Sequence, residues 1–433
     1  MPSNVVDQAK LVLNAFAAIF ENNLVTKDVV TWKQYDTEMN DRNGLTVVEQ
    51  VGPSYQITRT TNGVQDLTSG VQDSVFGSEQ FKVQDVFGSS MGWGDFVKIR
   101  DIGDARESEA IKNAAIRLAE RIDGYVLGVA ATASSWWKGT PGNSVASYND
   151  VAAGYTQLKE EGVEDSDLRA VLTYGDKQAL AGYIVNNNAS MQDLSKGIYR
   201  EGFDGTVAGI PTLFTQQLPT ITTGTRTNGT NGGANQNVHY RAVSVSPAPG
   251  QYLTQTLNIA GLGANATIKD GEVFTLAGVN AYDPRLGASL GYLRQFRVIG
   301  DTTADGTGAA TVRIFPAIIV PAAGATGDNA VDSAFATVDA VPAAAAALTW
   351  VAGPNVSVKP RVILQKQAVI VNTADLIMPA TGIGMRKSLT EVPLSIRMWK
   401  NSNFNTGEHD VRFDVAVTAN IRERRRAVRI NGA

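Results

Sequence analysis

The sequence predicts an α+β protein in which a mixed domain is interrupted by an inserted all-β, barrel-like domain near residues 224–356. Three observations predict it. A helix of unusual length begins at Asp104. A Gly-, Asn- and Thr-rich stretch at 224–236 opens a region of Val, Thr, Ala and Gly texture, without a lysine between Lys269 and Lys359. Compact strand signals then return from Lys359 onward. At roughly 150 residues per domain, 433 residues suggest about three domains, or two with large insertions.

In chain order, residues 3–23 read as an amphipathic helix, with Val5, Ala9, Val12, Phe16 and Ile19 or Phe20 at helical spacing. A lone helix of that length is marginal in water, so it must dock. It is either a terminal helix on its own domain or an arm that reaches a neighbour. From Gly44 to Phe87 the pattern is that of a β-hairpin: Leu45–Val51 and Tyr55–Thr60 flank Gly52-Pro53, and Phe81–Phe87 follows. So weakly apolar an excursion is a mobile loop or is held by another chain.

Asp104 and Glu107 have capping-box spacing, and Ile111, Ala115, Leu118, Ile122, Tyr125 or Val126, and Val129 form one stripe. Residues 104–131 make a helix of about 42 Å at about 1.5 Å per residue. Gly124 and Gly128 interrupt its distal half. A second helix opens at Ser147–Asp150 and ends at Gly162. Leu168–Tyr174 reads as a strand, Asp176–Asn186 and Met191–Tyr199 as helices, and Thr206–Ile221 as strand-like. The stretch 224–236 is a linker by composition. Beyond it the candidate strands are Tyr240–Ser246, Tyr252–Ile259, Glu272–Leu276, Gln295–Ile299 and Thr311–Phe315. The Ala-rich run 322–347 carries no assignable period. Val362–Val371, Pro393–Trp399 and Val411–Arg422 complete the strands.

Composition narrows function. Charged residues make up 18% of the chain, below the roughly 25% usual for soluble proteins, so much of the surface is expected to be covered, most simply by copies of itself. With no cysteine, disulfides, thiolate nucleophiles and Cys-type metal sites are excluded, and a reducing cytoplasm fits. His239 and His409 are the only histidines, too few for His-based catalytic or metal schemes, and both read as solvated. A net charge of −4 argues against a general nucleic-acid binder. No apolar run approaches the roughly 18 residues of a membrane helix, and the N-terminus lacks a secretory signal.

Short motifs add no chemistry. Gly88-Ser89-Ser90-Met91-Gly92 matches G-x-S-x-G, but strand-like residues follow where a nucleophile elbow needs a helix, so a glycine-rich turn is the better reading. Ser135–Lys138 matches S-x-x-K without its companion motifs. Gly261-Leu262-Gly263 reads as a β-turn. Asp301, Asp305 and Gly306 resemble part of a calcium loop, but Val312 stands in place of the bidentate Glu. No catalytic, cofactor or metal site is expected. One charged feature stands out: from Arg386 to the end there are ten basic and five acidic residues, concentrated in Arg422, Arg424, Arg425, Arg426 and Arg429. These form a solvated strand face, a rim of inter-subunit salt bridges, or a phosphate-facing patch.

The order of parts, together with several local matches, resembles the major capsid proteins of tailed double-stranded-DNA bacteriophages, the P22-type coat proteins with an inserted I-domain. The matches are Val48-Glu49-Gln50, Phe96–Arg100, Asp104 and Ala114–Ala119, then Tyr199–Gly202, Val207–Gly209 and Leu218-Pro219. Lys269–Phe274 with Leu276–Val279, and Phe296–Ile299, look like I-domain strands. The resemblance implies an HK97-like phage capsid fold. Its parts would be an N-terminal helical arm (1–43), an extended hairpin loop (44–87), a peripheral domain (88–131) with the spine helix 104–131, and an axial domain (132–223). The inserted I-domain (224–356) and a return to the core (357–433) would follow.

It further implies a structural function without catalysis: hexamers and pentamers forming an icosahedral shell around phage DNA, in a virion assembled in the host cytoplasm. Expected partners are itself, a scaffolding protein, a portal protein, a decoration protein and packaged DNA bound without sequence specificity, with no membrane. Assembly would run through a procapsid that expands on packaging. Candidate subunit contacts are Phe16, Phe20, Arg59, Phe76, Arg422, Arg424, Arg425 and Arg426. Gly124 and Gly128 are candidate hinges of the spine helix. HK97 cross-links its subunits through a lysine in the extended loop, whereas 44–81 contains none, so a non-covalent shell is expected. No long N-terminal extension is present to act as a built-in scaffold, so a separate one is expected. The alternatives are an encapsulin-like compartment shell and a secreted β-rich surface protein.

Overall fold

The computed structural model describes residues 2–35, 46–55, 74–93, 109–187, 205–322, 327–379, 382–402 and 409–433. They fall into two compact units: Met1–Val47, Lys82–Val129 and Lys366–Arg422 form the first, and Val48–Phe81, Ala130–Gln365 and Glu423–Ala433 the second. The capping box at Asp104, the helix Met191–Tyr199, the strand Tyr55–Thr60 beyond Tyr55, and Arg59 lie outside the described residues.

In the first unit, helix α1 (Pro2–Asn23) buries Ala9, Leu13, Phe16, Ala17 and Phe20, one stripe at helical spacing. The ring of Phe16 stacks on Phe413, with centroids 3.9 Å apart. Phe16 and Phe20 are fully buried here, which corrects their assignment as subunit contacts. Each supplies about 1.5–3 kcal/mol of apolar burial to its own core, and Leu11 on the same helix is exposed.

The sheet of this unit runs in the order Thr31–Tyr35, Val369–Ala374, His409–Ile421, Ser395–Ser402, Ile383–Ser388. Its long strand His409–Ile421 pairs antiparallel with Val86–Trp93 through His409–Ala416 and with Val369–Ala374 through Ala416–Ile421. Gly88–Gly92 therefore lies inside a strand, neither an elbow nor a turn. Gly88 faces Asp414, and a Cβ there would come 2.5 Å from the carboxylate. The glycine makes room for Asp414, which is fully buried and bridges Arg397 and Arg412. Helix α2 (Glu109–Ala133) spans 25 residues and buries Ile111, Ala115, Leu118, Ala119, Ile122, Val126 and Leu127.

The second unit holds two six-stranded sheets. The mixed one has the order Trp136–Lys138, Ala427–Ile430, Arg361–Gln365, Leu168–Leu172, Ile210–Phe214, Thr206–Val207. Helix α3 (Tyr148–Glu160) begins with a complete capping box between Ser147 and Asp150 and packs on this sheet. It packs closely because residue 154 is glycine: a Cβ would meet Ile430 at 2.6 Å and Ile363 at 2.8 Å. Helix α4 (Tyr174–Asn187) follows the strand Leu168–Leu172. Thr206–Ile221 breaks into Thr206–Val207, Ile210–Phe214 and a final strand from Ile221, with the first break at Ala208-Gly209, both at positive φ.

The other sheet is antiparallel, in the order Thr230–Asn231, Gln255–Ala260, Ala310–Phe315, Ala288–Ile299, Val273–Asp283, Leu348–Trp350. Its first and last strands meet: Thr230 bridges Ala347, and the Leu348 amide donates to the Gly229 carbonyl at 2.9 Å. The sheet thus closes into a barrel around Leu257, Phe274, Phe296, Val312 and Ile314. This corrects the linker reading of 224–236, which contains the closing strand. Gly229 and Gly232 disguise it, because a Cβ at either would strike a backbone carbonyl within 2.9 Å. The barrel's chain enters and leaves through a two-stranded stem, Ile221–Thr222 against Ser357–Val358.

Two more expectations change. Tyr240–Ser246 is not a strand but begins as helix α5 (Tyr240–Ser244), its first turn held by Asp332, which accepts from the Tyr240 amide at 2.7 Å. The Ala-rich run contains a short helix, α6 (Gly327–Ala334). Val362–Val371 is not one strand: a 3-10 turn at Lys366–Ala368 divides it between the sheets of the two units.

Candidate functional site

For a protein expected to be covered by copies of itself, the functional residues are those that set its arm, its extended segment and its charged surfaces. The end of helix α1 is fixed by one carboxylate. After α1, the 3-10 turn Val25–Asp28 places two amides and a hydroxyl toward Asp123 of α2. Asp123 accepts from the Val25 amide at 2.9 Å, the Thr26 amide at 3.0 Å and Thr26 Oγ1 at 2.6 Å. Burial pushes its carboxyl up, against the pull of those donors. Lys27 pairs with Glu391 at 2.6 Å, fixing the same turn from its other side.

The extended segment forms a two-stranded sheet, Thr46–Val51 with Gly77–Lys82. Val48, Tyr55 and Phe76 are all more than half exposed there. Isolated surface apolar groups need no explanation, but these three are apolar side chains that the segment leaves open to another chain. Gly77 lets the segment close on Tyr252, whose ring a Cβ would meet at 2.7 Å, and Ser78 Oγ donates to the Val245 carbonyl at 2.9 Å.

Buried ion pairs stiffen the second unit. Arg226 and Glu272 pair at 2.5 Å, both almost wholly buried; Arg226 also lies 4.0 Å over the Trp350 ring and donates to the Ala352 carbonyl. Glu272 accepts from the amides of Gly224 and Lys269 as well. Arg361 grips Asp176 with two nitrogens, at 2.8 and 2.9 Å. Neither pair was legible, since each joins residues remote in the chain.

The C-terminal arginines separate. Arg422 is exposed; Arg425 and Arg426 both bind Glu423, and Arg426 also binds Gln365. Arg424 is buried over the Phe315 ring and donates to the Gly250 carbonyl at 3.2 Å. Arg429 is fully buried and donates to the carbonyls of Gly271 and Ser134. This corrects the continuous solvated or phosphate-facing strip, and it removes Arg424 from the candidate subunit contacts. The cluster alternates because a short 3-10 turn followed by a core strand sends successive side chains different ways.

Among the other expected features, Gly124 and Gly128 lie within the continuous helix α2. Asp301 binds Lys269, and Asp305 accepts from Thr307 and Ala309, so both stay below the usual carboxylate range as turn-holding groups. His239 is the N-cap of α5 and pairs with Asp332 at 2.6 Å, which lifts its imidazole above the ordinary 6.5. His409 begins the long strand. Among the described residues no three His, Cys, Asp or Glu side chains group as metal ligands, and no helix is long and apolar enough to cross a membrane.

A helix fixed to a long helix, an extended segment with exposed apolar groups and a closed barrel on a narrow stem make up a structural subunit rather than a catalytic cleft. A family model described as P22 coat protein, gene protein 5, matches residues 1–428. The chain belongs to the P22 coat protein family and is the major capsid protein of a bacteriophage virion, associating with copies of itself. Among solved structures, that of Mycobacterium phage Che8 is 8% identical, with TM-score 0.42, over 90% of this chain and 86% of that one. The mature capsid of bacteriophage PhiM1 is 11% identical, with TM-score 0.43, over 94% and 86%. The CUS-3 coat protein I-domain is 26% identical, with TM-score 0.21, over 28% of this chain and 93% of that one. No curated protein matches the chain.

Proposed function

We propose that this capsid protein builds its shell through a scaffold-dependent procapsid that expands as DNA enters by a portal, with no catalytic step. Hexamers and pentamers form the shell, a decoration protein can add to its outside, and packaged DNA is held without sequence specificity. The roles follow the parts: arm 1–43, extended loop 44–87, peripheral domain 88–131, axial domain 132–223, inserted domain 224–356, and return strands 357–433.

The observation that carries the reading is the extended segment. Val48, Tyr55 and Phe76 are exposed on it, and burying side chains of this kind is worth about 1.5–3 kcal/mol each. Shell contacts made this way are apolar and reversible, as an expanding lattice requires. Residues 44–81 of the loop carry no lysine, so no isopeptide bond can start from that stretch, which supports a non-covalent shell. Weak DNA binding is supported by the net charge of −4 and by the arginines already engaged within the chain.

Expression with and without the cognate scaffolding protein, followed by electron microscopy, tests the reading. Closed procapsids with scaffold and aberrant shells or sheets without it are expected. Uniform shells formed equally well alone overturn the scaffold requirement. A covalent ladder of mature particles on denaturing gels overturns the non-covalent shell.

A further inference from the structure

The barrel and the C-terminal segment bring three guanidinium groups into one buried place. Arg297, on the strand Ala288–Ile299, stands across from Phe315 in the neighbouring strand, so the two side chains share a face. Arg424 lies over that same Phe315 ring, 5.4 Å from its centroid. Arg429 reaches the Gly271 carbonyl at 2.6 Å, next to Asp270, which Arg297 binds at 3.0 and 3.1 Å. The exposures of Arg297, Arg424 and Arg429 are 3%, 8% and 0%.

Their hydrogen bonding is incomplete. Arg297 Nε and Nη1, Arg424 Nη1 and Arg429 Nε are buried and have no acceptor among the described residues. Among the described residues, the carboxylates acting on the cluster are Asp270 and the buried Glu79, so three cations face two anions. Burial and the nearby Arg297 charge push Arg424 and Arg429 down to about 9, and both remain cations at neutral pH. A buried charge left unpaired is strongly destabilising. Water would supply acceptors but no countercharge. A carboxylate of another subunit or a DNA phosphate is kept out by the burial, so the group that fits is small and anionic. An oxyanion presents several acceptors at once to converging guanidinium groups.

We propose that Arg297, Arg424 and Arg429 bind a small oxyanion of the phosphate class, which fastens the C-terminal segment 423–433 to the barrel. The proposal is independent of the assembly pathway. Full-length protein, unfolded and refolded to remove bound ions, is titrated with inorganic phosphate at an ionic strength fixed with chloride. Equilibrium dialysis should show one phosphate per chain, competed by sulfate but not by chloride, with a saturable rise in Tm. Arg424→Gln should weaken phosphate binding about tenfold, a change of about 1.4 kcal/mol, whereas Arg425→Gln, on the exposed side of the turn, should leave it unchanged. No retained phosphate above the chloride control overturns the proposal, as does Arg424→Gln binding at the original affinity. If Arg424→Gln fails to fold, dialysis of the unaltered protein decides alone.

Discussion

Asp123 stands 97 residues from Thr26 in the chain, yet it takes the turn that follows the arm into the first unit's core. Removing it leaves two amides and a hydroxyl without their acceptor. Asp123→Ala should cost about 3 kcal/mol, read as a lower Tm and as faster proteolysis near Asn23 than in the unaltered chain. The sequence carried a trace of this role: Asp123 sits four residues from Ala119 and from Leu127, on the buried stripe where a charge is out of place. Its partner was not readable, because nothing local points from a helix face to a turn so far away. His239 offers a second measurement at this scale. Its hydrogen bond and charge interaction with Asp332 raise its folded value above 6.5. The stabilisation is therefore fully present below about pH 6.5 and is lost as pH rises through the folded value. Thermal unfolding between pH 5.5 and 8 should show this drift, and His239→Gln should remove it.

At the scale of elements, sequence periodicity located helices well and barrel strands less well. Helix α1 was legible because its apolar groups recur at helical spacing. The closing strand around Thr230 was hidden because close backbone approach demands glycine, so it carried the composition of a linker. Tyr240–Ser244 misled for the opposite reason: its short alternating pattern suits a strand, while an aspartate from elsewhere in the chain holds it as a helix. Arg424 and Arg429 looked like surface charge because a run of arginines gives no sign of which ones turn inward. Gly124 and Gly128 belong to this scale as a proposal. Each costs on the order of 1 kcal/mol relative to Ala in a helix and lowers the resistance to bending. Gly124→Ala with Gly128→Ala should stabilise the helix and slow shell expansion severalfold, followed by light scattering or gel mobility of heated procapsids. Expansion at the normal rate would count against the hinge.

For the whole molecule, the fold class was legible in the order of its parts, and a charge content of 18% pointed to extensive cover by other chains. What composition could not supply was the manner in which the insert joins its host. Ile221 and Thr222 lie beside Val358 and Ser357, with Thr222 Oγ1 and Ser357 Oγ 2.9 Å apart, and the Thr223 amide donates to the Val356 carbonyl. Residues 223–356, expressed alone, should form a monomeric β-protein that unfolds cooperatively; a chain lacking β-type circular dichroism would refute this. Because the two ends of that segment meet, the chain on either side of it is joined across little more than the width of one hairpin. The stem is in effect a socket, where one capsid lineage could lose its barrel and another gain a foreign module without rerouting the strands on either side.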